Sequence, residues 1–359
     1  MSDANEKSKC LLPFEKIDRV VLVKRSAETD SKYGCDPNKR STEELIQTGI
    51  VNVDKNSGPT SHQVSSYVQK ILHINKSGHS GTLDPKVTGV LPVALGKSTK
   101  VVQALINAGK EYVCLMHIHK EFSEPDIRKA MSKFIGKIKQ LPPIKSAVKR
   151  QWRYRKIYYI DILEIKDRDV LFRVGCQAGT YIRKLCTDIG AKLGCGAHMA
   201  ELRRSKAGPF REPTCASLID LQDAFAFYKE DGNDKWLRKL IQPIEAAVDH
   251  LPKVWVFDTT VDTLAHGADL NCPGISQVES EIQAEELVAV MTLKNELVMI
   301  GTAHMISSEM IKHKRGLAVK PARVIISTGV YPKMVKKNPE SSPVKSESKP
   351  SKVESKPTE

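Results

Sequence analysis

A chain of 359 residues, 40% hydrophobic and 27% charged, can bury a substantial core and has an ordinary globular composition, with a length prior of two domains. Its net charge of +14 favours a polyanionic partner, nucleic acid before an anionic membrane. No apolar run approaches the ~20 residues of a membrane span, the polar start MSDANEKSKC lacks a signal-peptide core, and the eight cysteines form no C-x-x-C pair. These features predict a soluble intracellular protein with reduced thiols and no zinc ribbon.

Residues 1–10 are polar and expected to be loose. LLPFEK, VVLVKR and the turn-rich DSKYGCDPNKR predict an ordered extension over 11–47, ending in a short helix at STEELIQ. GIVNVDK (49–55) predicts a strand opening the main domain. In the following helix, TSHQVSSYVQKIL, Thr60 and Gln63 have capping-box spacing, and Val64, Val68, Ile71 and Leu72 form an apolar stripe. After the loop GHSGTLDPKVTG (78–89), GVLPVAL is a short extended piece and STKVVQALINAG a capped helix stopped by Gly109. KEYVCLMHIH alternates like a strand; SEPDIRKAMSKFIG is a helix capped by Ser123.

KIYYIDILEI and DVLFRVGCQ predict paired strands across KDRD, followed by an amphipathic helix in GTYIRKLCTDIGAKLG. Two more helical stretches are SLIDLQDAFAFYKED and DKWLRKLIQPIEAAV. Beyond His250 short β-rich runs (KVWVFD, LVAVMTLK, ELVMIGTAHM, ARVIIS) alternate with Gly, Pro and Asn turns, predicting an all-β barrel of about 80 residues. The boundary is placed at 250, giving 48–250 and 251–332. The tail 333–359 is too poor in large apolar residues to fold alone. With a net charge of only +3 it leaves most of the surplus on the globular body.

Within the opening loop, Gly78, Gly81 and Gly89 permit positive φ or close approach to a flat ligand. Asp84 there is a candidate general base, nucleophile, metal ligand or cap of a Thr82–Asp84 turn. Tyr181 and Arg183, at i and i+2, share a face only if the backbone before the helix is extended. Such a pair could stack a base and bind a carboxylate or phosphate. From Lys145 to Lys156 six basic residues (Lys145, Lys149, Arg150, Arg153, Arg155, Lys156) interleave with Trp152 and Tyr154, which suits RNA backbone and splayed bases. Arg203 and Arg204 are candidates to meet phosphate, and Leu202 to pack under a base. His117-x-His119 lacks a third ligand at suitable spacing and reads as structural.

VDKNSGPTSHQV, GHSGTLDPKVTGVLPVALG, GKEYV, GTYIRKL and ELRR…GPF, in this order, resemble the TruB-type pseudouridine synthases, and within them the dyskerin branch. The resemblance runs from about Leu11 to Lys333. It implies an α+β fold: a mixed, mainly antiparallel sheet flanked by helices (the pseudouridine synthase fold), plus a small all-β PUA barrel on which 11–47 packs. The implied activity is cofactor- and metal-free isomerisation of uridine to pseudouridine. Asp84 would be the catalytic carboxylate, Arg183 its ion-pair partner, Tyr112 and Tyr181 substrate contacts, Leu202 a pocket wall, and His79 an aid to displacing the flipped nucleotide. His266 and Gly267, in HGADLNCPGI, would contact RNA from the PUA domain.

VKRQWRYRKIYY, where stand-alone enzymes carry a G…Y…AR run, resembles the guide-dependent branch. That branch implies a box H/ACA guide RNA and ribosomal RNA, with transfer RNA a further substrate. The implied protein partners are a zinc-ribbon-type protein, a glycine/arginine-rich-family protein at 142–156, and a kink-turn-binding ribosomal-type protein. Localisation would be cytoplasmic in an archaeal source and nucleolar in a eukaryotic one. The alternatives are a guide-independent transfer-RNA T-loop synthase and a non-catalytic guide-RNA or ribosome-assembly scaffold.

Overall fold

The computed structural model describes residues 10–142 and 149–333. The extension supplies β1 (Val21–Val23) and leads into helix α1 (Thr42–Thr48), where Ser41 and Glu44 form a capping box. The next ten strands are β2 (Gly49–Lys55), β3 (Ser77–His79), β4 (Thr88–Leu95), β5 (Lys110–Ile118), β6 (Gly136–Gln140), β7 (Arg153–Lys166), β8 (Asp169–Cys176), β9 (Ala197–Ala207), β10 (Phe210–Arg211) and β11 (Ile241–Pro243). They form one sheet in the order β11-β2-β4-β9-β5-β8-β7-β6, with β3 on β4 and β10 on β9. Its neighbours are antiparallel except where β4 meets β9, at Thr88–Arg203 and Gly89–Arg204.

Helix α2 (Ser61–Leu72) has the capping box expected of Thr60 and Gln63. It buries Val64, Val68 and Leu72 in one cluster with Leu91, Val93 and Leu95, and each such side chain contributes about 1.5–3 kcal/mol. The stretch at STKVVQALINAG departs from expectation. It begins as a 3-10 turn over Gly96–Val101, becomes α3 (Val102–Asn107), and has no side-chain cap. Helices α4 (Glu124–Ser132) and α5 (Ile182–Leu193) pack beneath β5, β7 and β8 around Ile127, Phe172, Leu185 and Ile189.

Helix α6 (Leu218–Asp231) forms as expected, but α7 (Lys235–Leu240) covers only the first part of the helical stretch expected at DKWLRKLIQPIEAAV. Pro243 cannot extend a helix, and Ile241–Pro243 pairs with β2 as β11 before a 3-10 turn over Ile244–Val248.

The C-terminal unit holds β12 (Lys253–Val256), helix α8 (Asp258–Ala265), β13 (Leu270–Asn271), β14 (Ile275–Glu279), β15 (Leu287–Thr292), β16 (Leu297–Ala303), helix α9 (Ser307–Lys312) and β17 (Leu317–Val324). Its sheet runs β1-β14-β12-β15-β16-β17-β13, so the extension completes one edge. Lys24 secures this docking by donating to the carbonyls of Cys272, Met310 and His313 at the end of α9.

The start of the extension lies instead on the ten-stranded sheet. Leu12 is fully buried, and Glu15 pairs with Lys206 at 3.2 Å and Arg211 at 2.7 Å. The two units share one apolar core, in which Val90, Phe210 and Ile244 meet Ala289, Met291 and Leu297. Among the described residues, no helix is long and apolar enough to cross a membrane.

Candidate active site

Asp84 sits in the loop between β3 and β4, and buried groups hold that loop from several sides. The Ser61 hydroxyl accepts from the Leu83 N–H at 2.8 Å and donates to the Leu83 carbonyl at 3.2 Å. Lys55, only 1% exposed, donates to the carbonyls of Asn56, Pro85 and Val87 at 2.8–2.9 Å. Arg204, also 1% exposed, donates to the Val90 carbonyl at 2.7 Å and to Gly81 at 3.3 Å. The turn closes through the backbone, Val87 N–H to Asp84 carbonyl at 3.0 Å. Its carboxylate therefore does not serve as a turn cap; it receives a hydrogen bond from Arg183 Nη2.

Of the loop glycines, Gly81 and Gly89 have φ of +121° and +100°. A Cβ on Gly89 would lie 2.3 Å from the Arg204 carbonyl oxygen. That glycine therefore meets the positive-φ alternative, and its close approach is to the β9 backbone at the β4–β9 seam. A Cβ on Gly78 would make only ordinary contacts, at 3.5 Å.

Arg183 comes from the first turn of α5, and Tyr181 is that helix's N-cap in extended backbone, φ −97° and ψ 103°. The extended backbone that would set both on one face is thus met at Tyr181 alone. Arg183 reaches Asp84 from inside the helix, and both side chains are 56% exposed. An exposed pair of this kind adds at most about 1 kcal/mol to stability, so its accessibility is the more informative property.

Tyr112 stands on β5 opposite Arg204, and Leu202 on β9 opposite Cys114. Both are half-buried against the same apolar cluster. Burial pushes the Tyr112 phenol up; the Arg204 guanidinium opposes this, while Cys176 and Asp84 add to it. His79 is half-buried on β3, edge-on to His62 with ring centroids 4.7 Å apart. Burial, then His62 and Arg204, lower it to about 4, so it is neutral at pH 7.

Two candidates need correcting. Arg204 is not a phosphate contact: it is buried beneath the loop with donors on the Val90 and Gly81 carbonyls and beside the Tyr112 phenol, and burial lowers its pKa. Arg203 donates from both terminal nitrogens to Asp54 at 3.0 Å and from Nε to Glu212, which leaves little for phosphate. On the β6–β7 hairpin, Lys149 and Arg150 are exposed, while Arg153 and Arg155 are half-buried. Lys137 lies 4.4 Å from the Tyr154 ring centroid and Lys139 5.0 Å from that of Trp152. Lys145 lies outside the described residues. His266 and Gly267 follow α8 in a turn, with His266 Nδ1 2.8 Å from the Asp262 carbonyl oxygen.

Lys55, Ser61 and Gln140 were not anticipated as site residues; Gln140 bonds the Tyr181 backbone. His117 and His119 are joined by His198 and Asp169 at the far end of β5. Among the described residues, no group of three His, Cys, Asp or Glu side chains could hold a metal ion. A cavity of about 960 Å³ lies at the domain junction, lined by Cys35, Asn38, Lys39, Gln242, Lys253 and Lys294, and contains none of the candidate residues.

Fold and site together set an exposed carboxylate–arginine pair beside a ten-stranded mixed sheet, with an attached seven-stranded β module. The TruB family pseudouridylate synthase (N terminal domain) matches residues 69–182, and the tRNA pseudouridylate synthase B C-terminal domain matches 183–249. A PUA domain matches 252–325 and a DKCLD (NUC011) domain 9–65. The chain is 53% identical over 322 residues to a Methanopyrus kandleri protein named "Probable tRNA pseudouridine synthase B", covering 90% of this chain and 95% of that one. A Pyrococcus furiosus protein of the same name is 53% identical over 340 residues, 94% of this chain and all of the other.

Among solved structures, a chain in a Cbf5-Nop10-Gar1 complex superposes with a TM-score of 0.86 at 54% identity, covering 90% of this chain and 98% of that one. Another, in an H/ACA RNP bound to a substrate RNA containing 2'-deoxyuridine, gives 0.85 at 52% identity over 91% and 100%. The chain belongs to the TruB family of pseudouridine synthases.

Proposed function

We propose that this enzyme is the catalytic subunit of an H/ACA ribonucleoprotein and isomerises guide-selected uridines in ribosomal RNA. The observation that carries the reading is the exposed Asp84–Arg183 pair on a rigidly held loop, in a chain more than half identical to those in the two H/ACA assemblies. Asp84 engages the uridine as the glycosidic C–N bond breaks; the base rotates, a C–C bond forms from the ribose to C5, C5 gives up its proton and N1 takes one up, so that atoms are conserved. Arg183 holds the carboxylate and keeps it aimed. Tyr112 and Tyr181 contact the target base, Leu202 walls its pocket, and His79, neutral, lies beside the entry. Bringing the uridine here requires it to leave its stack, at a few kcal/mol unless the RNA is already open.

The guide RNA is held by the C-terminal unit, including the His266–Gly267 turn. The protein partners are a zinc-ribbon-type protein, a glycine/arginine-rich-family protein near 142–156 and a kink-turn-binding protein. The curated relatives' name supports a second reading, a transfer RNA substrate. Reconstitution with and without guide and partner proteins, assaying pseudouridine in ribosomal and transfer RNA fragments, tests both. Guide-dependent product in ribosomal RNA is expected. Equal product in transfer RNA without a guide would favour the second reading, and full activity in Asp84→Asn would overturn the catalytic role given to Asp84 in either.

A further inference from the structure

Gln140 is the last residue of β6, pairs across the ladder with Arg153 of β7, and is only 2% exposed. Its side chain does not continue the sheet. Oε1 accepts from the Tyr181 N–H at 3.0 Å, and Nε2 donates to the Tyr181 carbonyl at 3.1 Å. A primary amide alone among the common side chains offers an acceptor and a donor in this orientation. Both polar groups of the helix N-cap are thus held by one side chain 41 positions away. The same carbonyl accepts the first helical bond, from the Leu185 N–H at 3.0 Å. The clasp therefore fixes the point at which α5 begins, two residues before the arginine that grips Asp84.

We propose that Gln140 is a positioning residue for the isomerisation: it ties the basic β6–β7 hairpin to the start of α5, so that the hairpin's placement sets the aim of Tyr181 and Arg183. This deepens the reading given above and rests on it. Gln140 touches no reacting atom. Its effect is transmitted through the Tyr181 backbone, and displacements near 1 Å at a reacting centre can cost about a hundredfold in rate.

The test uses the full chain assembled with guide RNA and protein partners, with Gln140→Met and Gln140→Glu. In Gln140→Met, amide exchange at Tyr181 should accelerate at least roughly tenfold while Leu185 is unchanged, since Leu185 keeps its helical bond. The single-turnover rate should fall roughly 10- to 100-fold, with substrate-RNA affinity within about threefold of the unmodified assembly. Gln140→Glu keeps the acceptor and regains a donor only when protonated. Its rate relative to the unmodified assembly at the same pH should therefore recover as pH is lowered, which a purely structural defect would not do.

Unchanged exchange at Tyr181, or an unchanged rate, overturns the proposal. So does a parallel loss of rate, affinity and melting temperature with no recovery in Gln140→Glu. If the unmodified assembly makes no pseudouridine although exchange at Tyr181 responds, the functional reading fails and this role in the reaction fails with it.

Discussion

The mouth of the site and its floor treat positive charge in opposite ways. At the mouth Arg183 meets a carboxylate where both side chains are more than half exposed. On the floor Lys55 and Arg204, both 1% exposed, donate to backbone carbonyls, and Arg204 also meets the Tyr112 phenol. Burial lowers both floor cations, countered by Asp84 for Lys55 and by Tyr112 for Arg204. Burying an ammonium or guanidinium is expensive, and a single bonded carbonyl does not offset it. Spread over several carbonyls of one loop, the same charges make that loop stiff. The floor sets shape, and the mouth presents a charge that a substrate can reach.

The largest effect should come from the mouth. Asp84→Asn keeps the size and neutralises the carboxylate; pseudouridine formation should fall by about a thousandfold or more, with RNA affinity and melting temperature nearly unchanged. A melting temperature that drops in step with the rate would mean that mouth and floor are not separable. Arg204→Met tests the other half. It removes a desolvated charge but leaves the Val90 and Gly81 carbonyls short of a donor, opposing contributions of about 1–3 kcal/mol. Stability should therefore change little, while the rate falls roughly 10- to 100-fold as the loop loosens. A lowered melting temperature with an unchanged rate would assign the floor to folding alone.

The mouth was legible in the sequence because its residues sit in short motifs, GTLDP and GTYIR, whose order carries the family resemblance. Local elements set by neighbouring residues were legible too, such as the Thr60–Gln63 capping box and the alternation along β5. The floor was not. Lys55 read as the last residue of a strand and Arg204 as a phosphate contact, because most of the groups that hold them lie 30 or more positions away and are largely backbone atoms with no residue signature. Gln140 was hidden for the same reason. The pairing of Ile241–Pro243 with β2 depends on an edge available only after the sheet has formed.

A smaller effect concerns the junction that holds the extension. His250 is buried, edge-on to Phe14 with centroids 5.8 Å apart; burial foremost, with Lys110 and Lys253, lowers it to about 4. The unfolded chain, with His near 6.5, binds more protons between those values, so stability falls as pH drops from 6.5 to 4 and levels off below. Hydrophobic docking of Leu12 and Phe14 should weaken in the same window. His250→Phe keeps a ring and cannot titrate. Its urea-unfolding free energy should lose less over pH 6.5–4, by up to about 3 kcal/mol. An identical acid limb in both proteins would place that sensitivity elsewhere, with His79 as the next group to replace.

The smallest effect separates committed arginines from available ones. Arg203 has its fork on Asp54 and its Nε on Glu212, and those bonds, the Asp54 one foremost, raise its pKa further. To reach a phosphate it would have to abandon two carboxylates, leaving them beside the RNA backbone as uncompensated repulsion. Arg203→Ala should therefore change RNA affinity by less than about threefold and leave the salt dependence of binding unaltered. Arg150, exposed at the hairpin, is in no ion pair with a carboxylate among the described residues. If it neutralises one phosphate, Arg150→Ala should reduce the slope of log affinity against log salt by about 0.7–0.9. A steeper loss for Arg203 than for Arg150 would mean that RNA binding rearranges the Asp54–Arg203–Glu212 cluster, and that the rigid floor extends less far along β9 than its hydrogen bonds imply.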